Sequence, residues 1–176
     1  KDGRDAPTLM KHADIAMYRA KERSRGSSQF YTRAMSETVQ DIRLEAELQR
    51  AIERGEMKLV YQPQVTLTNP RIIGIEALLR WHHPTQGVLR PGHFIAMAED
   101  SGVILQLGEW AIREACRLAK TLQQNGGPLP VAVNLSARQF AQTDIVPHIT
   151  AILEQVALPP HLLELEITET TLMENG

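Results

Sequence analysis

Glu76, Asn134 and Glu166 carry side-chain oxygens at matching places in three separate runs of strand-forming residues, and Arg80 follows Glu76 along one of them. Successive side chains of a strand point to opposite faces, so parity sorts each run. Ile73, Ile75, Ala77 and Leu79 make an apolar face against Gly74, Glu76, Leu78 and Arg80. Val131, Val133 and Leu135 likewise oppose Ala132, Asn134 and Ser136, and Leu163, Leu165 and Ile167 oppose Glu164, Glu166 and Thr168. A parallel strand buried on both sides is apolar on both, and buried charge is costly unless paired or metal-bound. The repeated asymmetry therefore predicts one shared polar face, turned toward a barrel mouth at the carboxyl ends of the strands. Two carboxylates and an amide oxygen suit Mg²⁺ or Mn²⁺ better than zinc or copper. A guanidinium further along the same face can grip a phosphate. Together they resemble a site for metal-assisted phosphodiester hydrolysis. Taken singly, each residue has a plainer role: Glu as a solvated surface group, Asn as a loop or cap residue, Arg as a salt-bridge partner. Only the parity match across three strands lifts the chemical reading above those.

The elements that must hold these groups are legible from hydrophobic spacing. Asp5-Ala6-Pro7-Thr8 starts a helix whose apolar positions Leu9, Ala13, Ala16, Met17 and Ala20 recur at threes and fours until Gly26. A second helical pattern runs from Arg33 to Arg54 and stops at Gly55. From Glu56 strands and helices alternate. Met57–Val65 and Arg71–Trp81 read as a strand pair around Asn69-Pro70, followed by a loop through His82-His83-Pro84. A short helix over Pro91–Glu99, a longer one over Leu107–Gln124, a strand at Val131–Leu135, a helix over Ile145–Val156 capped by Asp144, and a strand at Leu162–Thr168 complete the pattern. Strands separated by helices imply parallel pairing with right-handed crossovers, hence an α/β sheet or barrel.

Composition excludes several classes. The chain is 43% hydrophobic and 23% charged, with a formal net charge of −2, ordinary for a folded domain. With one cysteine, Cys116, neither a disulfide framework nor a thiolate zinc cluster can form, and a cytoplasmic setting is the default. Near-zero charge and the absence of a Lys/Arg run argue against DNA or RNA polymers as partners. No apolar stretch within the chain is long enough for membrane contact by a spanning helix. His82 and His83 are adjacent and so point to opposite sides, which suits a loop better than a metal site.

At these residues the chain resembles the EAL domain family, which hydrolyses cyclic di-GMP to linear pGpG. Tyr61-Gln62-Pro63-Gln64-Val65 resembles the family's first strand, and Glu76-Ala77-Leu78-Leu79-Arg80-Trp81 carries the motif that names it. Phe94-Ile95 with Ala98-Glu99, Asn134-Leu135-Ser136 with Arg138-Gln139-Phe140, and Glu166-Ile167-Thr168-Glu169 match further blocks in order. The resemblance implies a TIM-like (β/α)8 barrel, with Glu76, Asn134 and Glu166 as ligands of Mg²⁺ or Mn²⁺, Glu76 as the catalytic one among them, and Gln62, Leu78 and Arg80 contacting cyclic di-GMP. Glu169 is then a neighbour. A degenerate EAL domain, acting as a receptor or protein-interaction module without turnover, is the alternative.

The front of the chain resembles the end of a GGDEF domain through Ala13-Asp14-Ile15-Ala16-Met17-Tyr18-Arg19-Ala20-Lys21. Lys21 and Arg25 would be that family's phosphate-contacting pair, although Ser24-Arg25-Gly26 stands where Gly-Arg-Asn is usual, and the signature loop is absent. The expected organisation is a GGDEF remnant over 1–32, an interdomain helix over 33–54, and the first half of an EAL domain over 41–176. A closed barrel of this kind takes about 250 residues and seldom under about 200, so about half is expected here. The missing initiator Met and the stop soon after a strong strand predict a piece of a longer protein, with negligible turnover of its own. An open sheet edge would invite a homodimer.

Overall fold

A computed structural model describes residues 5–23, 28, 30–141 and 144–167. The described chain divides into two compact units, residues 1–47 and 48–176. In the first lie helix α1 (Ala6–Arg23) and most of helix α2 (Arg33–Ala51). Asp5 caps α1: its Oδ1 accepts from the Thr8 amide at 2.9 Å and its Oδ2 from the Thr8 hydroxyl at 2.9 Å. These bonds, the backbone one foremost, hold the Asp5 carboxyl below its ordinary pKa. Ile15, Ala16 and Ala20 of α1 are buried, and His12 stacks on Tyr31 with ring centroids 3.7 Å apart.

The second unit is a mixed sheet with helices on one face. Its strands are β1 (Met57–Val65), β2 (Ile72–His83), β3 (Gly87–Leu89), β4 (Val131–Leu135) and β5 (Leu163–Ile167). Their order is β1-β2-β4-β5, with β3 against the far end of β2. β1 and β3 run antiparallel to β2, whereas β2, β4 and β5 are mutually parallel. The helices are α3 (Ile95–Ser101), α4 (Val103–Gln124), α5 (Ala137–Phe140) and α6 (Ile145–Val156).

Packing follows the parity of the strands. The core joins Ala77, Val131, Val133 and Leu135 of the sheet to Ala111, Ile112, Ala115, Cys116 and Ala119 of α4 and Ile152 of α6. One face of β2, β4 and β5 is thereby covered, and the polar residues are left on the other. Burial pushes the Cys116 thiol up to about 11, as suits a packed, inert thiol.

Several boundaries differ from the expected ones for local reasons. α4 begins at Val103 rather than Leu107, because Gly102, at φ 81°, ends α3 and starts α4 with no intervening loop. The expected helix over Pro91–Glu99 is instead a single 3₁₀ turn at Pro91–His93, a break at Phe94, and α3. α2 ends at Ala51, and Gly55, at φ 65°, closes the turn that follows. The His82-His83 loop is in fact the end of β2. Exposed His82 and buried His83 pair with Val88 and Gly87 of β3, and His83 Nδ1 accepts from the Thr85 and Gln86 amides at 3.2 Å each. Asp144 stands at the cap of α6 without a side-chain capping bond; its carboxylate lies 3.7 Å from His148 Nε2 instead. Ser24, Arg25, Gly26, Thr168 and Glu169 lie outside the described residues.

Candidate functional site

The parallel register places the three oxygen-bearing residues on neighbouring strands. Asn134 of β4 sits opposite Glu166 of β5, while Glu76 of β2 sits opposite Ala132, one same-face step below Asn134. Asn134 Nδ2 donates to Glu76 Oε1 at 2.8 Å, bridging residues 58 apart in the chain. Glu76 and Glu166 are half-buried and Asn134 is exposed. The Glu166 carboxyl is held above its ordinary pKa by burial first, then by the negative charges of Glu76 and Glu164, against a lowering bond from Gln64. The Glu76 charge thus reaches Glu166, as a cause second to burial.

This arrangement fits a divalent cation. Among the described residues no three His, Cys, Asp or Glu side chains gather as a metal cluster. The fit therefore rests on two carboxylates and one amide. Asn134 presents its nitrogen end to Glu76, and a half-turn of the amide puts the oxygen end there instead. A cation would remove the repulsion between Glu76 and Glu166 and take oxygen ligands from adjacent strands.

The dinucleotide-contact candidates share this face. Gln62 of β1 is the direct cross-strand partner of Glu76. Leu78 lies two residues on, and Arg80 four residues on, about 13 Å along the strand. Arg80 donates to the Leu79 carbonyl at 2.7 Å, which uses one of the five donors of the guanidinium. Pairing between β2 and β4 stops at Ala77 and Val133. A cavity of about 500 Å³ lies chiefly on the helix-covered face, between Ala77, Leu79, Val133 and Leu135 of the sheet and Ile104 and Leu107 of α4, and it also reaches Glu76 and Asn134.

Sequence reasoning missed Gln64. Its Nε2 lies 3.5 Å from Glu166 Oε1, and its Oε1 lies 2.6 Å from where a Cβ on Gly74 would stand. Gly74 thus leaves room for Gln64 to cross the sheet. The signal was available, since Gln64 shares the parity of Gln62.

A pH effect follows from Glu166. Because its folded pKa is raised, the folded chain holds a proton where the unfolded chain has lost it. Stability therefore falls as pH rises from about 4.5 through the folded pKa, and below both values the group contributes nothing. Glu166→Gln is expected to raise the denaturation midpoint at neutral pH and to leave it unchanged well below pH 4.5. Urea titrations of both proteins at the two pH values check this; a midpoint at neutral pH lower than wild type would contradict it.

Comparison with known proteins identifies the family and the fold. The EAL domain family model matches residues 45–176. The signaling protein YkoW of Bacillus subtilis is 43% identical over 177 residues, covering 99% of this chain and 22% of that protein. The bifunctional diguanylate cyclase/cyclic di-GMP phosphodiesterase MucR of Pseudomonas aeruginosa is 42% identical over 178 residues, covering 99% of this chain and 26% of that protein. The solved PaMucR phosphodiesterase in complex with c-di-GMP matches with a TM-score of 0.72 at 44% identity, over 76% of this chain and 54% of that one. The cGMP-bound EAL enzyme Bd1971 matches with a TM-score of 0.74 at 29% identity, over 96% of this chain and 48% of that one. The chain thus spans about a quarter of the length of these curated relatives. Among the described residues no helix is long and apolar enough to cross a membrane.

Proposed function

The chain belongs to the EAL domain family, and on that premise we propose that it supplies part of the active site of a metal-dependent cyclic di-GMP phosphodiesterase. The observation that carries this reading is the 2.8 Å contact between Asn134 and Glu76, with Glu166 charge-coupled to Glu76 on the same face. Glu76, Asn134 and Glu166 would hold Mg²⁺ or Mn²⁺, which when bound supplies Lewis-acid polarisation of a phosphodiester and lowers the pKa of a coordinated water. Arg80 clamps a phosphate oxygen through charge-assisted bonds, while Gln62 and Leu78 line the same face as polar and apolar contacts for the dinucleotide. The product is linear pGpG.

In this reading residues 1–32 derive from a GGDEF-type domain, 33–54 form the interdomain helix and 41–176 are the first half of the EAL domain, working in the cytoplasm. The exposed edges of the sheet would accept a second copy of the chain.

The test is hydrolysis of cyclic di-GMP to pGpG, with Mg²⁺ or Mn²⁺, by a complete EAL domain carrying this chain. Tight binding without turnover under both ions would instead favour a receptor. Within an active protein, Arg80→Ala is expected to raise KM for cyclic di-GMP about 10- to 100-fold, the worth of one or two charge-assisted bonds. The Mn²⁺ concentration for half-maximal rate should stay unchanged. Steady-state kinetics at saturating metal checks this, and an unchanged KM would remove Arg80 from the substrate contacts.

A further inference from the structure

Asn134 is the weakest of the three oxygen donors, since it carries no charge and stands at the exposed end of its strand. What holds it lies two to five residues downstream. Ser136 caps the four-residue helix α5 with a reciprocal box: Gln139 N donates to Ser136 Oγ at 3.3 Å, and Ser136 N donates to Gln139 Oε1 at 3.2 Å. The Gln139 side chain is 4% exposed, unusual for a capping residue. Its amide lies against α4 at Gly108, where a Cβ would stand 1.6 Å from Gln139 Nε2. A mid-helix glycine costs about 1 kcal/mol relative to alanine, and here its missing side chain is the space that Gln139 fills. Arg138 adds a second tie, through NH1 to the Glu99 carbonyl and, at 3.4 Å, to the Asp100 carbonyl at the end of α3.

We propose that Gln139 is a positioning residue for the metal site: seated in the Gly108 notch and bonded to Ser136, it fixes the end of β4 so that the Asn134 amide stays over Glu76. This rests on the metal reading of Glu76, Asn134 and Glu166, and deepens it. The backbone between Asn134 and Ser136 is one residue long, so loosening the capping box moves the donor itself. Outer supports of metal ligands are typically worth 10- to 100-fold in affinity.

The test is calorimetric titration of the chain with MnCl₂. Gln139→Ala is expected to weaken Mn²⁺ binding about 10- to 100-fold. Adding Gln139→Ala to Asn134→Ala should weaken binding no further, because the support has then lost what it supports. Should Gln139→Ala fail to fold, Ser136→Ala with rescue by Ser136→Thr reads the same box from its other end. Wild-type Mn²⁺ affinity in a folded Gln139→Ala or Ser136→Ala chain overturns the proposal, as does full additivity with Asn134→Ala. Wild-type affinity in Asn134→Ala itself would instead overturn the metal reading beneath it.

Discussion

Glu76→Ala is expected to lower cyclic di-GMP hydrolysis by about 1000-fold in a complete EAL domain carrying this chain, equivalent to roughly 4 kcal/mol of lost transition-state stabilisation. Glu76 supplies one of two carboxylates in the cluster and is the acceptor that holds Asn134 at 2.8 Å. On the proposed reading its removal takes away one metal ligand and frees a second. Stability should move the other way. Glu76 raises the pKa of the Glu166 carboxyl, which marks repulsion between the two in the folded state. Relieving it leaves the denaturation midpoint equal to or above that of the wild type at neutral pH. Loss of turnover without loss of stability is the signature of a residue kept for chemistry. Assays of pGpG formation beside urea titrations check both halves, and turnover within a few-fold of wild type would remove Glu76 from the reaction.

Trp81→Ala is expected to have the largest effect on folding, about 3–5 kcal/mol. Trp81 is fully buried, with its ring edge-on to His83 at 4.9 Å and to Phe94 at 5.8 Å. Its Nε1 donates to Glu56 Oε2 at 3.0 Å, and its backbone pairs with Met57 on one side and Leu89 on the other. Alanine leaves a cavity and also deprives Glu56 of a donor, a further cost of about 1–3 kcal/mol if no other is found. Against a total stability of about 5–15 kcal/mol for a domain, that removes a large share, and at the low end of the range it unfolds much of the population. Trp81→Phe keeps most of the packing and should cost less, isolating the Glu56 bond. Denaturant midpoints measure both. A Trp81→Ala loss below about 1 kcal/mol would mean that the site relaxes around the gap, contrary to the usual core response.

What could be read in the sequence, and what could not, divides by range. β1, β4 and α6 have the expected bounds because each is a periodic run bounded by strong breakers. The shared face of Glu76, Asn134 and Glu166 was legible because parity within a strand is a local property. Three-residue β3 was not, since it is too short to show a period and forms only by pairing with β2. α5 carried a legible signal, Ser136-Ala137-Arg138-Gln139, in the spacing of a capping box, yet only the fold places Gln139 against Gly108 across 31 positions of sequence. The Gln64 contact with Glu166, 102 residues away, depends on how far the sheet curls and on a glycine in the strand between, neither of which has a local signature.

On the proposed reading, oxygens from β2, β4 and β5 surround one divalent cation. Anomalous diffraction from crystals of the chain soaked in MnCl₂ tests it most directly. A single strong manganese peak is expected within about 2.5 Å of a Glu76 carboxylate oxygen, Asn134 Oδ1 and a Glu166 carboxylate oxygen. The Asn134 amide is expected to turn its oxygen toward Glu76. A manganese peak seated elsewhere, or saturating Mn²⁺ that leaves these three side chains unliganded and Asn134 Nδ2 still donating to Glu76, would contradict it.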